Sequence, residues 1–177
     1  MKHLLITGNI QTGKSTIINR ALENRNLIMG GYRTVSSLRL DLNADSNVHL
    51  LPVDRYEPLA PHNLVLRREV IYGRTYFHIN TRVYEEKGTA LLRNLPANCQ
   101  LIILDEIGKR EKHCTNLRSA IIDTLNGDIP VLGVVQIRPD DFLDEIRNHP
   151  NVEIVQVTEE NRDVVLCYVN QYLDRLK

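Results

Sequence analysis

The chain has 177 residues, with 22 basic and 22 acidic side chains and a formal net charge of zero. This length suits one domain with its own core, and the balanced charge gives no overall field that would attract nucleic acid or an anionic membrane. No apolar run approaches the roughly 18 residues of a membrane span. Three scattered cysteines without metal-ligand spacing are typical of a reducing compartment. We therefore expect one cytoplasmic domain over residues 1–177, with neither a membrane nor nucleic acid as a partner.

The first predicted element is a short apolar strand at Leu4–Thr7, and the segment after it carries the clearest chemical signal. Gly8–Ser15 reads GNIQTGKS and matches G-x-x-x-x-G-K-[ST], the loop that wraps nucleotide phosphates. Lys14 would reach the β- and γ-phosphates, and the Ser15 hydroxyl would bind Mg²⁺. A helix predicted over Ser15–Arg25 would point its positive N-terminus at the same site. The predicted nucleotide-binding residues of this loop are Gly8, Asn9, Ile10, Gln11, Thr12, Gly13, Lys14, Ser15 and Thr16.

The stretch from about residue 30 to residue 80 has short β-prone pieces and no helical periodicity. The pieces are Tyr32–Leu42, Val48–Val53, Asn63–Ile71 and Thr75–Ile79, separated by turn residues that include Asn43–Ser46. They predict antiparallel hairpins inserted after the first helix. Because the chain is neutral, we expect the aromatic side chains near the last two pieces, such as Tyr76 and Phe77, to pack inside and the neighbouring arginines to be solvated.

The rest of the chain alternates apolar runs with helical patterns. Strands are predicted at Leu101–Leu104, Val131–Gln136 and Val152–Val157, and helices at Arg82–Asn94, Thr115–Asn126, Pro139–Asn148 and Glu159–Leu176. Continuous apolar runs predict strands covered on both faces. The fold class is therefore α/β, with a mainly parallel sheet between two layers of helices. Cys99 and Cys167 lie in apolar stretches and are expected in the core.

Two carboxylates follow the apolar run Leu101–Leu104 and form the second chemical constellation. In an α/β sheet the carboxyl end of such a strand faces the ligand site. Asp105 would hold Mg²⁺ opposite Ser15, and Glu106 would polarise a water in line with the γ-phosphate. A solvent-exposed strand end is the alternative for each carboxylate on its own.

Polar residues after the next two strands are weaker candidates. Gln136 and Arg138 follow Val131–Val135 and would contact the γ-phosphate or report its presence, although a loop cap and a solvated arginine explain them equally well. After the last strand, Thr158 suits the N-cap of the final helix. The alternative places Asn161 and Arg162 beside the nucleotide.

Together these residues resemble one family, the thermophile-type nucleoside triphosphatases. The similarity spans nearly the whole chain and includes the phosphate loop, Gly31–Thr34 (GYRT), Tyr76–Gly88 (YFHINTRVYEEKG), Asp105–Lys109 (DEIGK) and Asn161–Asp163 (NRD). The resemblance implies a phosphate-loop NTPase core of the RecA-like, additional-strand, catalytic-glutamate type. It also implies Mg²⁺-dependent hydrolysis of ATP, GTP and other nucleoside triphosphates to diphosphates, with Glu106 as general base and Asn161 and Arg162 in the site.

The chain departs from that family at two places near the expected γ-phosphate. The family continues its Asp-Glu-Ile-Gly motif with a residue and then Met-Glu-Leu, whereas here the run is Lys109–Cys114 (KREKHC) and only Glu111 matches. The family often has histidine where Gln136 stands. Two other functions stay open at this point: a nucleotide or small-molecule kinase, and a slow nucleotide-gated binding module with an unidentified protein partner.

Overall fold

A computed structural model describes residues 3–37 and 47–176 of the chain. One mixed sheet of eight strands forms its centre, in the order β5-β4-β3-β2-β6-β7-β1-β8. The strands are β1 (His3–Gly8), β2 (Met29–Ser36), β3 (Val48–Pro52), β4 (Leu64–Ile71), β5 (Arg74–Ile79), β6 (Leu101–Ile107), β7 (Val131–Val135) and β8 (Val152–Val157). The predicted α/β class and the antiparallel hairpins are confirmed, and the sheet as a whole is mixed.

Helices connect the parallel strands and cover both faces of the sheet. They are α1 (Lys14–Leu22), α2 (Thr81–Val83), α3 (Thr89–Arg93), α4 (Thr115–Leu125), α5 (Asp141–Arg147) and α6 (Arg162–Asp174). A π-helical turn, Tyr84–Gly88, joins α2 to α3, and short 3₁₀ turns occupy Pro61–Asn63 and Lys109–His113. Within the described ranges, no helix is long and apolar enough to cross a membrane.

The core consists of two apolar layers, one on each face of the sheet. Along β1, Leu4 and Ile6 belong to the layer shared with α1 and α6, whereas Leu5 belongs to the layer shared with α3, α4 and α5. All six residues of β1 are buried. Since side chains alternate between the faces of a strand, only a continuous apolar run fills both layers. This explains why the sequence pattern predicted strands covered on both sides.

The strand order fixes where the chemically interesting loops meet. β7 lies between β1 and β6 and is parallel to both. The carboxyl ends of β1, β6 and β7 therefore open at the same edge of the sheet. The phosphate-loop motif and Gln136 lie at the ends of β1 and β7, and the two carboxylates lie near the end of β6, which runs further than the predicted Leu101–Leu104. The topology therefore brings them together.

The region predicted as inserted hairpins forms antiparallel pairs, and its first strand also joins the parallel part of the sheet. β2 pairs in antiparallel with β3 but in parallel with β6, with Gly31 opposite Ile103. It therefore belongs to the parallel part of the sheet as well as to the hairpins. Parallel partners lie some seventy residues apart in the chain, so no local pattern reveals the pairing. The second half of the predicted Tyr32–Leu42 piece and the turn at Asn43–Ser46 lie outside the described residues.

The hairpin of β4 and β5 is much more exposed than predicted. All six residues of β5 are exposed, with Phe77 63% and Tyr76 44% accessible, and Tyr72 in the connecting turn is fully exposed. The expectation that these aromatic side chains pack inside is wrong. β5 is an edge strand of the sheet, and its side chains remain accessible on both faces.

Several predicted helix ends are also wrong. The final helix begins at Arg162, with Asn161 and not Thr158 at the N-cap position. Helix α5 begins at Asp141, and the Asp140 carboxylate caps it by accepting from the Phe142 N–H at 3.1 Å. Pro139 thus precedes the cap and does not occupy the first turn.

Of the two cysteines expected in the core, Cys99 packs against it and Cys167 does not. Cys114 is buried, Cys99 is partly buried and Cys167 is exposed, and all three are free thiols. Cys167 lies on the outer face of α6. Its neighbours in the sequence are apolar, but this did not predict which face of the helix Cys167 occupies. Among the described residues, no group of histidine, cysteine and carboxylate side chains has the geometry to hold a metal ion on its own.

Candidate active site

The phosphate-loop motif forms a tight turn between β1 and α1. Gly8 and Gly13 have φ angles of 147° and 88°, which side chains disfavour. A Cβ on Gly8 would lie 2.4 Å from the Val157 carbonyl oxygen, so no larger residue fits there. The Thr12 hydroxyl donates to the Asn9 carbonyl at 2.9 Å and braces the turn. Thr12 is itself buried, whereas the other loop residues from Gly8 to Thr16 line an open cleft.

The Lys14 ammonium lies inside the curl of this loop. Its Nζ donates to the carbonyl oxygens of Gly8 at 3.0 Å and Asn9 at 2.6 Å. Burial lowers the pKa of Lys14, and the nearby Glu106 and Asp105 carboxylates act in the opposite direction. A lysine held in this way presents its charge at the centre of the loop, where phosphate oxygens would sit.

Ser15 and Asp105 meet across the sheet edge. The Ser15 hydroxyl donates to Asp105 Oδ1 at 3.1 Å, although the residues are 90 positions apart in the sequence. Asp105 is only 6% exposed, whereas Glu106, one residue later, lines the cleft. The two carboxylates therefore have separate environments. One faces the helix start and the other faces the open cleft.

The cleft has a volume of about 720 Å³ and a strongly basic lining. Its lining side chains include the cations Lys14, Lys109, Arg110 and Arg138, and a single carboxylate, Glu106. In a chain of zero net charge this concentration of positive charge is local, and it suits a polyanionic ligand such as a triphosphate. Sequence reasoning missed Lys109, Arg110 and Ile137 as lining residues. Their signal was weak, because loop arginines and lysines are usually solvated.

Gln136 links two loops of the cleft. Its Oε1 accepts from the Lys109 N–H at 3.2 Å, and its side chain covers Gly108, where a Cβ would come within 2.5 Å of Gln136 Cδ. On the other side, the Arg147 guanidinium donates to the carbonyl oxygens of Gln136 and Arg138. The loop that carries Gln136 and Arg138 is therefore fixed at both its side-chain and its backbone groups.

Glu111 anchors the turn after β6 from below. It is 1% exposed, and its Oε2 accepts from the Gly108 N–H at 2.9 Å. Burial raises the pKa of Glu111 to about 8, although the hydrogen bond from Gly108 and the charge of Arg110 both oppose the rise. The Tyr32 hydroxyl is buried with no hydrogen-bond partner among the described residues, and the Arg110 guanidinium lies beside the buried Tyr84 hydroxyl. Glu111 thus sits among buried side chains directly under the cleft.

Asn161 and Arg162 lie beside the phosphate loop but do not line the cleft. Asn161 Oδ1 accepts from the Thr158 N–H at 2.8 Å, and its Nδ2 donates to the Gln156 carbonyl at 2.9 Å. The Arg162 guanidinium packs against Gly13, whose Cβ would lie 3.6 Å from Arg162 Nε. Asn161 therefore shapes the loop after β8, and Arg162 places a positive charge next to the second glycine of the motif.

Comparison with known proteins identifies the family. A family model described as NTPase matches residues 3–169. The chain belongs to this NTPase family. The chain is 28% identical to the nucleoside-triphosphatase THEP1 of Thermotoga sp. strain RQ2, over 98% of this chain and 95% of that protein. It is 27% identical to the human cancer-related nucleoside-triphosphatase, over 94% of this chain and 96% of that protein. The predicted resemblance is confirmed.

Solved structures of the NTPase family share the fold. The crystal structure of THEP1 from Aquifex aeolicus superposes with a TM-score of 0.74, covering 98% of this chain and 99% of that one at 21% identity. The architecture is therefore that of the family over its full length.

Proposed function

We propose that this member of the NTPase family hydrolyses nucleoside 5′-triphosphates to diphosphate and inorganic phosphate. The observation that carries the proposal is the shared cleft, in which the Gly8–Ser15 loop and Glu106 face each other. A phosphate-binding loop alone supports binding. A carboxylate directed at the same space supports activation of a water as well.

Each residue then has a separate chemical task. The loop N–H groups and Lys14 would bind the phosphates and neutralise charge that develops on the γ-phosphoryl group. Glu106 would orient a water and accept its proton as the water oxygen attacks phosphorus. The bond between the γ-phosphorus and the bridging oxygen then breaks, and the nucleoside diphosphate departs with that oxygen. Gln136 and Arg138 would contact the γ-phosphoryl group that is transferred to water.

Mg²⁺ is the cofactor that the residues at this site fit. The Ser15 hydroxyl and the Asp105 carboxylate supply neighbouring hard oxygen donors, 3.1 Å apart, and Mg²⁺ binds such oxygens together with substrate phosphates. When bound, the ion would neutralise phosphate charge. The proposed metal residues are therefore Ser15 and Asp105, and the described residues would hold the ion only in the company of a nucleotide, since they form no complete metal cage.

The fold supports two finer assignments. β7 stands between the loop strand β1 and the acidic strand β6, which is the arrangement expected of the additional-strand type, with Glu106 as the catalytic glutamate. The sheet continues without a break through β2 to β5, which supports a single domain over residues 1–177. We also propose broad base specificity, which is supported by relatives whose names specify no base. Arg162 and Asn161 would lie near the bound nucleotide.

A substrate panel tests this function. Phosphate release would be measured from ATP, GTP, CTP and UTP with Mg²⁺ and with EDTA, for the wild type and for Lys14→Ala. We expect release from all four with Mg²⁺, and loss of release with EDTA or in the variant. Phosphate that appears without any added acceptor also separates hydrolysis from kinase chemistry. No release by the wild type from any of the four would refute the proposal.

A further inference from the structure

Arg110 occupies a position in the cleft that the sequence did not reveal. The 3₁₀ turn Lys109–His113 follows β6 directly, so Arg110 comes four residues after Glu106 and lines the same cleft. The proposed water-activating carboxylate and this arginine therefore belong to one short segment. A phosphate group in line with Glu106 would therefore lie close to the turn that carries Arg110.

The turn is held rigidly at its base. Glu111 accepts from the Gly108 N–H at 2.9 Å, and the Cys114 N–H donates back to the Glu111 carbonyl at 2.9 Å. The Lys109 N–H is bound to the Gln136 side chain. Arg110 thus projects from backbone that is fixed on both sides, and a side chain on such a base loses less conformational entropy when it binds a ligand.

The chemistry of Arg110 suits a terminal phosphate. A guanidinium offers two parallel N–H donors to phosphate oxygens, and such contacts are among the strongest hydrogen bonds in proteins. Lys14 lines the same cleft from within the phosphate loop. The lysine and the arginine therefore come from two separate segments of the lining, while Glu106 supplies its only carboxylate.

We propose that Arg110 binds the γ-phosphate and makes the cleft prefer a triphosphate to the diphosphate product. This inference rests on the proposed function, because it assigns a specificity role within the same site.

Nucleotide affinity tests the assignment without depending on turnover. Dissociation constants for adenylyl imidodiphosphate and for ADP, both with Mg²⁺, would be measured by calorimetry for the wild type, Arg110→Gln and Arg110→Lys. The matched control is Lys112→Gln, because Lys112 lies in the same turn, is 58% exposed and pairs with Asp140 at 3.6 Å outside the cleft. Thermal melts would confirm that the variants are folded.

We expect Arg110→Gln to weaken binding of the triphosphate analogue by about ten- to a hundredfold, the range for one hydrogen-bonded charge, and to leave ADP affinity unchanged. Arg110→Lys should recover part of the loss, and Lys112→Gln should bind both ligands like the wild type. An equal effect on both nucleotides, or none, in Arg110→Gln would overturn the inference and leave the proposed function intact. A wild type that binds neither nucleotide would overturn both.

Discussion

Replacing Glu111 with glutamine should make the protein more stable, and increasingly so as the pH rises. Glutamine has nearly the same shape, and its carbonyl oxygen can still accept from the Gly108 N–H. It cannot carry a negative charge. The pH-dependent part of the effect therefore comes from the cost of ionising a buried carboxyl group, which burial makes unfavourable in the folded state.

The size and sign of the effect follow from the two pKa values. The pKa of Glu111 is about 8 in the folded protein, against an ordinary value of 4.5. A raised carboxyl pKa means that the folded state holds the proton of Glu111 more tightly than the unfolded state does. The protonated Glu111 side chain therefore contributes its full share of stability below pH 4.5, and this share is lost as the pH rises through about 8. The full difference corresponds to about 5 kcal/mol, of which about 4 kcal/mol falls between pH 5 and pH 9.

Urea unfolding at pH 5, 7 and 9 would measure this effect as a gap, the unfolding free energy of Glu111→Gln minus that of the wild type. Other titrating groups cancel in the gap, including His3, whose pKa burial lowers. Glu145→Gln is the control, because Glu145 lies on the exposed side of α5. We expect the Glu111→Gln gap to widen steadily with pH and the control gap to stay constant. A gap for Glu111→Gln that is independent of pH, or that narrows, would refute the reasoning.

Three further substitutions test the local packing. Gly31→Ala should lower the unfolding free energy by at least about 3 kcal/mol in a urea titration, because the φ angle of Gly31 is 91° and the new Cβ would lie 2.2 Å from a backbone oxygen. Gly73→Ala is the control and should cost far less, since Gly73 has a φ angle of 73° but open space around it. Gly108→Ala should slow phosphate release, because the new Cβ would displace the Gln136 side chain. If this contact is the cause, the double variant Gly108→Ala, Gln136→Ala should release phosphate no more slowly than Gln136→Ala alone. Losses of rate that add in the double variant would contradict the role of the Gly108–Gln136 contact. Arg147→Met should lower kcat by freeing the loop of Gln136, with nucleotide affinity preserved; an unchanged kcat would show that the loop needs no such support.

The sequence was sufficient where a local pattern has one structural solution. The apolar run of β1, the glycines of the phosphate loop and the start of α1 are adjacent in the chain, and their φ angles and contacts follow from the residue types. The position of Asp105 and Glu106 at the end of a buried strand also followed from the pattern. The meeting of Asp105 with Ser15 needed only the rule that parallel strands open at one edge.

The remaining features depend on contacts between distant segments. The parallel pairing of β2 with β6 and the exposure of the β4–β5 hairpin are set by which strand lies at the edge of the sheet. Arg110 and Glu111 are adjacent charged residues, yet one lines the cleft and the other is buried under it. Only the tertiary placement of their turn distinguishes the two residues, so the charge pattern of the sequence could not predict which of them is buried.

The proposed role of Glu106 is tested most directly by separating binding from hydrolysis in one variant. Glu106→Gln would be mixed with ATP and Mg²⁺ under single-turnover conditions, and bound nucleotide and released phosphate would be measured together. If Glu106 activates the water, the variant should bind ATP as well as the wild type and keep it intact, with phosphate release at least about a hundredfold slower. Release of phosphate at the wild-type rate by a variant that binds ATP would contradict the account.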